Sequence, residues 1–206
     1  MAEKYEWKKA EKSIYTLGKQ PLLVDIPTFK FFTLAGVGDP NDAFFAEHIQ
    51  CLFSLSYALK MQWKKETGFD YAVYPLEGVW ALPASECPDN EGLNKKSLIY
   101  TLMVRQPDFV SEEYATDIIE KVKIKKPHPL LANAKFEAIS EGLCVQMLHQ
   151  GSYDNEATSF AEMDAFARNN NLFRTTKVHR EIYLSDARKV QADKLKTILR
   201  FQVNSL

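Results

Sequence analysis

The chain is sparing in the residues that break up or cross-link a fold. It holds eight glycines, nine prolines and three cysteines in 206 residues. Glycine and proline this scarce exclude collagen-like and low-complexity classes, and 46% hydrophobic content excludes a disordered one. Long apolar runs are missing too, since none approaches the roughly 18 residues of a membrane span. The segment Met1–Lys9 is charged and has no cleavage pattern, so no signal peptide is expected. Cys51, Cys87 and Cys144 are odd in number and far apart, which predicts reduced thiols in a cytoplasmic protein rather than disulfides or a metal pair. Neither sign of charge dominates: 26 Lys and Arg stand against 27 Asp and Glu, so no basic excess points to nucleic acid. The run Lys121–Lys126 reads as the solvated C-terminal end of a helix, where the dipole favours cations.

What is present is one pattern written twice. Residues Phe29–Val37 are aromatic and β-branched enough for a strand. Asp39, as N-cap, and Pro40 then open a helix to about Lys65, with Phe45, Ile49, Leu52, Phe53 and Leu59 recurring at three and four. Strands near Tyr71–Leu82 and Leu98–Arg105 follow, separated by a turn-rich hairpin loop from Pro83 to Gly92 that carries Cys87. The second half repeats the order. Leu143–Gln150 reads as a strand and 154–170 as a helix with Ala157, Phe160, Met163 and Ala167 on one stripe; Lys177–Leu184 and Lys196–Val203 are strand-like.

The expectation is an α+β fold of two β-α-β-β units about a pseudo-twofold axis, with a curved antiparallel sheet. Its boundaries are an N-terminal arm over 1–20 and a single domain over 21–206. Repeat one covers about 27–106, an inserted amphipathic helix about 111–125, and repeat two about 136–204.

Strand alternation places the candidate chemistry. His179, Glu181 and Tyr183 share one face of their strand, while Val178, Ile182 and Leu184 share the other with Arg180. The aliphatic face is expected to pack on the helices, which leaves the polar trio on the opposite, cleft-bearing face. In the first half, Glu77 is read as the counterpart of Glu181, and Gly78 as a bulge that re-aims Trp80. Two carboxylates ringed by Tyr71, Tyr74, Trp80, Tyr100 and Tyr183 would form an aromatic, acidic cleft for planar or cationic molecules. Glu156 falls in the first turn of its helix, where it would equally complement the dipole. Acids held together in an apolar cleft separate in pKa, leaving one as a base.

No G-x-S-x-G elbow, P-loop or dinucleotide glycine motif occurs. His179-x-Glu181 lacks the C-x-x-C of zinc deaminases, and His48 and His128 lack partners at ligand spacing. Neither a metal nor a cofactor is therefore expected. Trp7, Trp63, Phe44 and Phe45 read as core.

The segments Cys144–Glu156, His179–Asp186 and Lys194–Arg200, with Pro75–Trp80, resemble the GyrI-like small-molecule-binding family over most of the chain from about residue 20. The resemblance implies the duplicated fold just described, with helices on one side of the sheet and a ligand cleft on the other. It also implies that the glutamate matching Glu181 meets ligand. In a subset of standalone members, the cyclopropanoid cyclopropyl hydrolases, the glutamates matching Glu156 and Glu181 serve hydrolysis of DNA-alkylating natural products, between aromatic clamps. Tyr153, His149 and His179 would join the ligand contacts, with the tyrosines or His149 polarising a carbonyl. Ala187, where proline is usual, and Asn155, where aspartate is common, depart from the pattern without touching the acids. Three readings follow: a hydrolase that detoxifies planar xenobiotics, a binding module that sequesters them or touches a protein partner such as DNA gyrase, and a protein–protein inhibitor with an incidental pocket.

Overall fold

A computed structural model describes residues 4–15, 18–83 and 94–205. The order begins with α1 (Trp7–Ala10), β1 (Leu22–Ile26), β2 (Phe29–Val37), α2 (Ala43–Thr67), β3 (Leu76–Ala81) and β4 (Ile99–Gln106). It continues through α3 (Glu112–Lys125), β5 (Lys135–Ile139), β6 (Gly142–Gln150), α4 (Glu156–Asn169), β7 (Leu172–Arg174), β8 (His179–Tyr183) and β9 (Lys196–Ser205). The repeat is thus β2-α2-β3-β4 followed by β6-α4-β8-β9. Each first strand ends in a glycine of the same unusual conformation, Gly38 and Gly151, both at φ 139°. A side chain is strained there, so glycine lets each strand turn into its helix.

Eight strands form one path, β1-β6-β9-β8-β3-β4-β2-β5, with β7 attached to β9. The path reads alike from both ends: β8-β9-β6 on one side of the centre mirrors β3-β4-β2 on the other. Each half is closed by a strand belonging to the other half's lead-in. β5 pairs with β2, and β1 pairs with β6. This exchange ties the halves together, so both contribute to one antiparallel sheet. Carrying the Gly38–Gly151 equivalence through the strand registers places Gly78 at the position of Glu181. Those same two residues pair directly across β3 and β8, so the pseudo-twofold axis passes between them.

The two faces of the sheet are buried by different means. One packs under α2 and α4 through Phe32, Leu34, Leu102, Val145, Met147, Leu199 and Phe201, all nearly inaccessible. The reverse face lies under the N-terminal segment. There Gln146 donates to the Ile14 carbonyl at 3.1 Å, Trp7 donates to the Val73 carbonyl at 3.0 Å, and Arg105 pairs with Glu11. No described helix is long and apolar enough to cross a membrane.

Several sequence-based expectations need adjustment. The N-cap position of α2 is held by Asp42, which makes no side-chain capping bond, rather than by Asp39, whose carboxylate accepts from the Asn41 N–H at 2.9 Å in a local turn. The strand placed at Tyr71–Leu82 begins only at Leu76. β1, β5 and β7 had no separate signal, being at most five residues long. The hairpin loop and Cys87 lie outside the described residues. Cys51 and Cys144 are buried and free, and Lys123 and Lys125 occupy the last turn of α3.

Candidate functional site

β3 and β8 form the floor of a cleft walled by α2 and α4. The depression around it measures about 2850 Å³ and is lined by Phe45, Ile49, Trp80, Glu156, Phe160 and Glu181 among others. It therefore opens on the helix face of the sheet, not the reverse face. His179, Glu181 and Tyr183 do share a face as alternation required, but that face looks toward α4: the Phe160 ring meets the His179 ring edge-on at 4.7 Å. The aliphatic partner Ile182 and the charged Arg180 point away, to the face covered by the N-terminal segment. Polarity misled here because Arg180 is neutralised where it is buried. It donates to Glu77 at 2.7 Å and Glu141 at 2.9 Å, and Arg200 donates to Glu141 at 2.7 Å.

Glu77 is accordingly not a cleft residue. The registers make it the counterpart of Arg180, not of Glu181, and alternation runs undisturbed through Gly78 without a bulge. Burial pushes its carboxyl up despite Arg180 and Arg200. At Glu141 burial acts the same way, but the two arginines outweigh it and hold the carboxyl below its usual range.

The acids that do meet are Glu156 and Glu181. Gly151 turns the chain out of β6, Ser152 accepts from the Asp154 N–H at 3.3 Å, and α4 then starts with Glu156. Both residues are 8% exposed, and their carboxyl groups interact with each other. Burial first, and then the neighbouring Glu181, push Glu156 up to about 9. One Oε of Glu156 is buried without a protein hydrogen-bond partner. Glu181 accepts from His179 Nε2 at 3.1 Å. Across the floor, Trp80 Nε1 donates to the Tyr183 hydroxyl at 2.9 Å, and Tyr153 meets the Tyr183 ring edge-on at 5.9 Å. Burial, then Glu181 and Glu156, push the Tyr153 hydroxyl up to about 12, so it remains a donor at neutral pH.

Trp80, Tyr153, His179 and Tyr183 therefore join the two glutamates around one cleft. The other candidates lie elsewhere. Tyr71 is core, edge-on to Phe109 at 5.9 Å, and Tyr74 stacks on Trp7 at 5.8 Å while donating to Glu11 at 2.6 Å. Tyr100 supports the cleft from below: it is 1% exposed and touches Trp80, Phe45 and His48. His149 pins β6 to α4. Its Nε2 donates to the Ser152 carbonyl at 3.0 Å, which leaves Nδ1 to accept from Ser159 at 2.9 Å. Both ring nitrogens are thus engaged, which leaves neither free to polarise a ligand.

Two wall residues escaped the sequence reading. Phe160 lies four residues beyond Glu156, on the same helix face, and that spacing was a usable signal. Phe45, read as core, stacks on Trp80 at 5.8 Å and forms the opposite wall. Among the described residues no group of three His, Cys, Asp or Glu could hold a metal ion.

A deep aromatic cleft with an acid pair, shared by two halves of one sheet, defines a small-molecule-binding fold. The chain belongs to the GyrI-like family: residues 19–204 match the GyrI-like small molecule binding domain. An uncharacterized conserved protein from Listeria innocua is 34% identical over 98% of this chain and 100% of its own, with a TM-score of 0.88. A hydrolase from the same organism is 33% identical, with the same coverage and a TM-score of 0.85. The C-terminal domain of EcmrR has the same fold at 14% identity, covering 91% of this chain and 98% of its own, with a TM-score of 0.58. No functionally curated protein matches the sequence.

Proposed function

We propose that this protein is a hydrolase of planar, electrophilic xenobiotics, and that it opens the cyclopropane ring of DNA-alkylating natural products. The reading is carried by the Glu156–Glu181 pair, two largely buried acidic residues that meet in an aromatic cleft. Like charges at such range cannot both ionise freely, so the pair holds one acid and one carboxylate near neutral pH. The carboxylate serves as general base toward a water molecule. As the water oxygen bonds to the cyclopropane methylene, the strained C–C bond breaks and its electron pair moves into the conjugated carbonyl. That oxygen then takes up a proton, so the net change is the addition of one water. A water nucleophile also spares the protein from alkylation.

Phe45, Trp80, Tyr153 and Phe160 offer flat surfaces for a planar ligand. Similarity to the Listeria innocua hydrolase, at 33% identity over nearly the whole of both chains, supports the same reading.

The test is mass spectrometry of a cyclopropane-bearing alkylator after incubation with wild-type protein and with Glu181→Gln. Gain of one water with wild type alone supports the hydrolase. An unchanged ligand retained on the wild-type protein would instead make it a sequestering binder, and no retention would assign the cleft to another ligand.

A further inference from the structure

His179 Nε2 lies 3.1 Å from Glu181 Oε1, two residues along the same face of β8. A carboxylate can only accept, so this contact puts the hydrogen on Nε2 and leaves the lone pair of the neutral ring on Nδ1. Nδ1 has no hydrogen-bond partner among the described residues and is not sealed from solvent. The imidazole is also the more open end of the pair, at 22% exposure along the side chain against 11% for Glu181. Both line the cleft together with Glu156. The other histidines are engaged elsewhere. His149 uses both ring nitrogens, His48 is buried and bonded to the Phe44 carbonyl, and His128 lies 3.8 Å from Glu47.

Strand structure does not require this pair. At the equivalent positions of the first half stand Leu76 and Gly78, and β3 forms without an imidazole or a carboxylate there. The second half nevertheless builds a support around the His179 ring. Phe160 meets that ring edge-on at 4.7 Å. The Arg174 guanidinium lies 5.3 Å from the centre of the Phe160 ring, and it donates to the carbonyls of Lys177 at 2.9 Å and Val178 at 3.3 Å. Arg174 thus fixes both the ring that packs on His179 and the turn that delivers His179 to its strand. An imidazole held by a carboxylate at one nitrogen and open at the other has the geometry of an oriented general base.

We propose that His179 is a catalytic residue of this cleft: its Nδ1 takes the proton of the attacking water, while Glu181 orients the imidazole and balances its charge. The inference rests on the hydrolase reading and deepens it, since the basicity of the carboxylate then reaches the water through the ring. The water oxygen bonds to the cyclopropane methylene as one water proton moves to Nδ1. The strained C–C bond breaks, and its electron pair moves into the conjugated carbonyl. Imidazolium and carboxylate stand as an ion pair until the proton passes through solvent to the carbonyl oxygen, which restores the neutral ring. One water is added and nothing else is consumed.

The experiment measures turnover of a cyclopropane-bearing alkylator by mass spectrometry with wild type, His179→Gln and His179→Ala, beside fluorescence titration with the ring-opened product. A glutamine amide still donates to Glu181 but has no basic nitrogen. His179→Gln should therefore bind the product as wild type does and lose turnover by about 100-fold, the scale of a general base. His179→Ala should lose as much, and added imidazole should restore its turnover in a saturable way. A glutamine variant that turns over as fast as wild type would mean that His179 only orients Glu181, and would overturn the assignment. Should circular dichroism show His179→Gln unfolded, the alanine variant decides: saturable rescue by imidazole supports the role, and no rescue overturns it. If the wild type itself adds no water, the hydrolase reading fails and the role of His179 falls with it.

Discussion

The Glu77 carboxylate meets the Arg180 guanidinium at 2.7 Å on the reverse face of the sheet, beneath the N-terminal segment. Each is only about 3% exposed along its side chain, and Arg180 immediately precedes the cleft residue Glu181. The central strand pair is therefore clamped by charge on one face while it carries the acid pair on the other.

Removing Glu77 should cost stability and leave ligand binding in place. Glu77→Ala leaves Arg180 with Glu141 as its remaining carboxylate, and breaking a buried pair of this kind costs about 3 kcal/mol. Urea unfolding measures that loss. Full stability together with lost ligand affinity would return Glu77 to the cleft.

Glu156 should make the protein less stable as pH rises. Its ordinary value is 4.5, and in the folded state burial and then Glu181 raise it to about 9. Between those values the unfolded chain has released this proton and the folded chain still holds it, so folding stability declines with increasing pH. Glu156→Gln cannot titrate and should lose that slope. Its advantage over wild type should appear near pH 5 and reach about 3 kcal/mol at pH 7. Thermal melts from pH 5 to 9 check this, and parallel curves for the two proteins would contradict it.

Tyrosines that look alike in sequence should separate cleanly on substitution. Tyr71→Ala and Tyr74→Ala empty core positions and should each cost about 3 kcal/mol or more, with binding preserved in the folded fraction. Tyr153→Ala removes a residue that is 38% exposed at the cleft, so it should leave the melting temperature nearly unchanged and weaken binding of a planar dye several-fold. Fluorescence titration beside a melt distinguishes the two classes. A destabilised Tyr153 variant with unaltered affinity would move that ring out of the site.

Local pattern carried much of this fold. The strand at Phe29–Val37, the helix ending near residue 67 and the two glycines that end the first strands all follow from short-range rules of alternation, helical spacing and turn chemistry. The doubling of that pattern also pointed to the pseudo-twofold axis, because two like units bury their faces best by joining their sheets. The short strands β1 and β5 were not legible, since what makes them strands is pairing with a partner in the opposite half.

The sequence alone determined which residues of β8 travel together, because strand geometry places His179, Glu181 and Tyr183 on one side whatever surrounds them. It could not say toward which layer that side looks. Only the tertiary structure decided this, by supplying Glu77, Glu141 and the N-terminal segment to bury Arg180 on the reverse face and so freeing the helix face for the cleft. The same holds for Gly78 and Trp80. Their significance depends on contacts across the axis to Glu181 and Tyr183, more than a hundred residues away in the chain.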